Sequence, residues 1–168
     1  MDRWETFVQQ VTRALQSRRL GPLVFARCYW ESDTPPEQLP PKLARLLHTL
    51  AEWMQQAPEK LHLTRTPDGT DLTMVVEFRP SATAVISHAR RSEVSRPPAA
   101  GETGAARNSA EPMPLCIARQ LGFDLFLLGT QGAVYLDGTQ ADWPDEPLYI
   151  PDLPAEHPVS KQVAQVWH

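Results

Sequence analysis

Leu72–His88, LTMVVEFRPSATAVISH, is the stretch whose reading decides the fold. Side chains on a strand alternate faces with period two. Leu72, Met74, Val76 and Phe78 therefore share one side, with Thr73, Val75 and Glu77 opposite. After the turn Arg79-Pro80-Ser81, Ala82, Ala84, Ile86 and His88 share a side in the same way. Closing the hairpin on those three residues sets Phe78 against Ala82, Val76 against Ala84, Met74 against Ile86 and Leu72 against His88. Phe78 and Val76 then face small alanines, which fills space without overcrowding.

The same arithmetic runs backwards through Leu61-His62-Leu63-Thr64-Arg65 and the Asp68-Gly69 pair. Asp-Gly favours the primed two-residue turn that matches strand twist. Leu63 then faces Met74 and Leu61 faces Val76. The result is a three-stranded antiparallel meander with one apolar face and one mixed face. An apolar face needs a cover, and the flanking sequence supplies helices for it.

Upstream, Trp4, Phe7, Val8, Val11 and Leu15 recur at helical spacing, which predicts an amphipathic helix of about four turns. Asp2 is placed to cap it, and Gly21-Pro22 stops it. Leu23–Trp30 is apolar on both faces except for Arg27, the pattern of a central strand. If buried, Arg27 would need a carboxylate partner. The proline-rich loop Ser32–Pro40 leads to a helix over Lys42–Gln56, whose stripe Leu43, Leu46, Leu47, Leu50, Trp53 and Met54 is wide enough to lie flat on a sheet.

Residues 89–112 have Val94 as their one branched aliphatic and no aromatic, and read as a disordered loop or linker. Beyond it come a short helix over Leu115–Leu121, an apolar strand over Phe123–Leu128, a Gly129–Gly132 turn, a strand over Ala133–Asp137, an acidic proline-rich segment with a short strand over Leu148–Ile150, and a last helix opened by Pro158. The fold class is α+β: one antiparallel or mixed sheet with helices packed on one face. We read residues 1–168 as a single domain, in which the 89–112 loop joins a larger N-terminal part to a small C-terminal one.

Composition narrows the function. The 168 residues, 42% of them hydrophobic, are enough for one ordinary core. The net charge of -4 argues against nucleic acid as a partner, and in residues 89–112 three glutamates balance four arginines. No apolar run approaches the roughly twenty residues of a membrane span, and the N-terminus lacks the order of a secretory signal. Cys28 and Cys116 lie far apart in apolar settings, as free thiols in a reducing cytoplasm do.

No strong chemical motif emerges. Gly129-Thr130-Gln131-Gly132 lies between strands, without the helix terminus that helps to bind phosphate. The five histidines have no ligand spacing, and His62, His88 and Glu77 do not share a face, so no metal is expected. No cofactor is expected either. The residues of a possible polar site are Arg27, His62, Glu77 and Cys116, the last as a thiol at a helix start. Trp30, Trp143, Tyr149 and Trp167 are the candidate interface residues, because aromatics beside prolines bring large area at low ordering cost. The leading reading is a cytoplasmic, non-catalytic module that binds another protein as an adaptor, chaperone-like factor or inhibitor, and forms a homodimer. The alternatives are a small enzyme with its site between the two parts, and a small-ligand-binding regulatory module.

Overall fold

Each strand of the meander pairs as its alternation dictates. The computed structural model describes residues 3–17, 19–90, 123–137 and 150–167. Along them run α1 (Arg3–Gln16), β1 (Leu23–Ser32), a 3-10 turn (Pro36–Gln38), α2 (Leu39–Met54), β2 (Pro58–Arg65), β3 (Asp71–Phe78), β4 (Ala82–Arg90), β5 (Phe123–Gly129), β6 (Ala133–Asp137) and α3 (Pro158–Trp167). Leu63 pairs with Met74 and Leu61 with Val76. Met74 pairs with Ile86, Val76 with Ala84 and Phe78 with Ala82.

The first turn differs from its expected form while keeping the register. Thr66 N donates to Asp71 O at 2.9 Å, so the loop is the four residues Pro67–Thr70 and not a two-residue turn. Both loops centre on Asp68-Gly69, which is why the strand pairing is unchanged. Gly69 takes the left-handed conformation, φ +70°. Hydrogen bonds from Thr66 and Thr70 lower the pKa of the Asp68 carboxyl to about 2.

The sheet has six strands in the order β2-β3-β4-β1-β5-β6. β1 runs parallel to β4 and antiparallel to β5. The connection from β1 to β4 contains α2 and the β2–β3 hairpin, long enough for the crossover that a parallel pair needs. β5 and β6, from the far side of residues 89–112, extend the same sheet beside β1.

The helices cover one face. α2 buries Leu43, Leu47 and Leu50 against the sheet residues Met74, Val76, Ala84 and Ile86, all at most 2% exposed. Burying each leucine contributes about 1.5–3 kcal/mol. α2 starts at Leu39, three residues before the expected Lys42, because Pro40 and Pro41 fit its first turn. It ends at Gln55, whose φ of +54° is a left-handed cap. α1 contributes Trp4, Phe7 and Val11, and Phe7 meets Phe123 edge-on at 5.0 Å. α3 contributes Val159 and Val163.

A buried lysine fastens the C-terminal segment. Lys42 Nζ, on α2, donates to Ile150 O at 2.9 Å and to Asp152 Oδ1 at 3.0 Å. Arg45 donates to Asp152 O, and Leu153 N to Pro41 O, both at 3.1 Å. At the other end of the sheet Leu20–Pro22 packs on the β5–β6 turn, where Gln131 N donates to Leu20 O and Thr130 N to Pro22 O.

Candidate functional site at the carboxyl end of the parallel strands

Strand register puts the described polar candidates on one face of the sheet. On the open face, one cross-sheet row reads His62, Val75, Val85, Arg27, Phe126, Tyr135. Arg27 and His62 thus share a face and a row but stand three strands apart, about 14 Å at the usual strand spacing. Arg27 is exposed, so burial imposes no carboxylate partner on it, and it makes no ion pair among the described residues. Glu77 lies one row over and pairs with Lys60 at 3.2 Å. These three expected site residues do not converge. Cys116 lies outside the described residues.

The aromatic candidates divide. Trp30, expected at an interface, is instead in the core at 2% exposure, because its strand is central and helices cover that face. Trp167 is half-buried, with the Arg65 guanidinium 5.0 Å from its ring. Trp143 and Tyr149 lie outside the described residues. Among the described residues no group of three potential ligands is placed to hold a metal. Cys28 is a buried free thiol whose pKa is raised by burial first and by the Asp124 charge second.

The polar constellation that does form was not singled out by sequence reasoning. His88 is on the covered face of β4, directly opposite Trp30 of β1 in the register, and their rings meet edge-on at 4.6 Å. Its Nε2 lies 3.0 Å from Ser32 Oγ. Ser32 Oγ also accepts Thr34 N–H at 3.2 Å. The tautomer with the least cost has Nε2–H donating to Ser32 and leaves Nδ1 as a bare acceptor. That Nδ1 is buried and has no hydrogen-bond partner. Desolvation lowers the His88 pKa to about 4, outweighing the opposite pull of Asp71 and Glu31. At neutral pH the ring is uncharged and accepts a hydrogen bond without taking the proton. The clue in the sequence was a histidine opposite Leu72 on an otherwise apolar face. Its partner Ser32 was hidden, because only the parallel pairing of β1 with β4 brings the two together.

No protein-family model matches the chain, and no curated protein matches it in sequence. Solved structures do match in fold. A protein provisionally designated a myo-inositol dehydrogenase from Sinorhizobium meliloti 1021 is similar at TM-score 0.52 and 12% identity, over 77% of this chain and 38% of that one. A protein provisionally designated a dehydrogenase from Thermotoga maritima is similar at 0.50 and 14%, over 80% and 39%. The apo scyllo-inositol dehydrogenase of Lactobacillus casei is similar at 0.52 and 6%, over 78% and 37%. At these identities the likeness is one of fold. The chain spans less than two-fifths of the length of each.

These likenesses correct the expectation of a non-catalytic protein-binding module. That expectation rested on size, charge and α+β content, which adaptors share with enzyme domains, whereas the matching folds carry dehydrogenase names.

Dehydrogenase chemistry implies a dinucleotide, and the residues present do not fit one. A dinucleotide fold offers the pyrophosphate a glycine-rich turn and the free amides of a helix N-terminus, beside a parallel sheet. This sequence contains no G-x-G. The helix that follows β1 opens Leu39-Pro40-Pro41: the prolines have no N–H, and the Leu39 amide is bonded to Pro36 O. Among the described strands, β1–β4 is the one parallel pair. The described residues therefore offer a dinucleotide no cradle.

Proposed function

We propose that this chain is an α+β domain of a dehydrogenase-type enzyme, contributing the surface that receives a small hydroxyl-bearing substrate while a separate nucleotide-binding domain holds the hydride acceptor. The observation that carries this is the six-stranded mixed sheet, which matches dehydrogenases over more than three-quarters of the chain. The poor fit of α2 to a pyrophosphate supports assigning the acceptor elsewhere. Ser32 and His88 are the residues to which the substrate comes. A substrate hydroxyl donates to the bare Nδ1 once the contacts that bury that atom open, and the low basicity of the ring keeps that contact a hydrogen bond. Both groups are uncharged, which suits a neutral polyol better than an acid or a phosphate ester. A cytoplasmic setting belongs to this reading, supported by the free thiol at Cys28.

Calorimetric titration of the full chain with neutral cyclic polyols, beginning with scyllo- and myo-inositol, and separately with NAD, tests it. Heat of binding is expected from a polyol, and its loss in a His88→Phe variant that still folds. Tight NAD binding without any polyol binding would overturn the assignment.

A further inference from the structure

His88 is the last buried residue of β4; beyond it Ala89 is half-buried and Arg90 exposed. A stretch of chain crosses the strand just past that point. β4 lies between β1 and β3 in the sheet. The chain that leaves β1 at Ser32 nonetheless reaches the β2–β3 loop by Pro36. A Cβ at Gly69 would lie 3.6 Å from Pro36 Cγ and 3.9 Å from Pro36 Cβ. That loop is at the His88 end of the sheet, since Arg90 N donates to Thr70 O at 2.8 Å. β1 and β3 are two strand spacings apart, about 10 Å, and four residues extend at most about 14 Å. Residues 33–36 therefore run nearly straight across the carboxyl end of β4. Leu39, buried at the start of α2, then brings the chain onto the covered face, where His88 lies.

We infer that residues 33–38 are a strap that gates the Ser32–His88 site, lifting off the β2–β3 loop to admit a substrate hydroxyl and closing behind it. The identity of the substrate rests on the function proposed above; the gate rests on the crossing itself. The two sides of the Pro36–Gly69 contact differ in stiffness. The loop is pinned: Asp68 Oδ1 accepts Thr70 N–H at 3.1 Å and the Thr70 hydroxyl at 2.8 Å, and Gly69 N donates to Thr66 O at 2.9 Å. The strap is held lightly. Among the described residues, the hydrogen bonds of residues 34–37 stay within 32–39: Thr34 N to Ser32 Oγ, Gln38 N to Pro35 O and Leu39 N to Pro36 O. Pro36 meets the loop by van der Waals contact alone, which costs little to open. Pro35 is extended, φ -66° and ψ 150°, and two consecutive prolines lift as a unit without crumpling. The lift also has a chemical consequence. It draws Thr34 N–H away from Ser32 Oγ, freeing an acceptor position for a second substrate hydroxyl as Nδ1 of His88 is uncovered.

Cross-linking the strap to the loop tests it. The 3.9 Å from Pro36 Cβ to a Cβ at Gly69 is within the span of a disulfide, about 3.5–4.5 Å. In the full chain carrying Pro36→Cys and Gly69→Cys, acylation of His88 by diethyl pyrocarbonate is followed by peptide mass spectrometry, before and after reduction. The oxidised form is expected to react about tenfold more slowly or less, because modification follows the open population. Reduction should restore the rate. Pro36→Gly, which removes the contact and the stiffness without adding a thiol, should react severalfold faster than the wild type. Equal rates in the oxidised and reduced forms, or no quickening in Pro36→Gly, would overturn the gate. Titration of the same samples with scyllo-inositol separates gate from substrate. A bridge that slows acylation while no form binds the polyol upholds the gate and refutes the substrate assignment.

Discussion

His88 and Ser32 meet across the parallel β1–β4 pair, Nε2 to Oγ at 3.0 Å, while the second ring nitrogen is buried with nothing to bond. A buried polar atom left unpaired costs about 1–3 kcal/mol. Such an atom in a folded protein calls for an explanation, and a bound hydroxyl group supplies one.

The burial of His88 ties stability to pH. Its folded pKa, about 4, lies below the ordinary value of 6.5, so the unfolded chain binds more protons between those values. Stability from the neutral ring is complete above about pH 6.5 and is lost as pH falls toward 4. The shift amounts to about 3 kcal/mol at most. Urea unfolding at pH 7 and at pH 4.5 should show the loss, and His88→Gln should remove most of that slope.

The fit of α2 on the sheet predicts a large cavity penalty. Leu47 is fully buried in the core. Leu47→Ala should destabilise the fold by about 2–5 kcal/mol, measured from the urea midpoint.

Gly129 marks a close backbone approach. A Cβ there would overlap the Leu20 carbonyl, and backbone cannot yield as a flexible side chain does. Gly129→Ala should cost about 1–3 kcal/mol or more by overpacking. Hydrogen exchange should then quicken first at Thr130 and Gln131, whose amides bond to Pro22 O and Leu20 O.

Lys42 joins two distant parts of the chain. Lys42→Met keeps the buried stem but leaves Ile150 O without that donor, while Asp152, 58% exposed, returns to water. A loss of about 1–3 kcal/mol follows. Limited proteolysis should release the segment holding α3 faster than in the wild type.

Much of this architecture was legible because its cues are local. Alternation in Leu72–His88 fixed which residues pair, and Leu43–Met54 announced the covering helix through its stripe. The mixed face was legible too: His62 and Glu77 fall on the side the alternation assigned to them, whereas the side that Arg27 shares with them follows only from the pairing of β1 with β4. What was illegible is non-local. No periodicity records that β1 runs beside β4, so neither the Ser32–His88 contact nor the burial of Trp30 was visible. The aromatic content of Trp30 suggested a surface anchor, whereas its place on a central strand made it core. Function was misread for a related reason, since the sheet order that resembles dehydrogenases exists only after the chain has folded.

The most direct test is the nitrogen-15 resonance of the His88 ring during titration of the full chain with scyllo-inositol and myo-inositol. A substrate hydroxyl donating to the bare acceptor should move Nδ1 upfield and leave Nε2, already bonded to Ser32, nearly still. Saturation by these and other neutral polyols with both ring nitrogens unmoved would contradict a substrate site at Ser32 and His88.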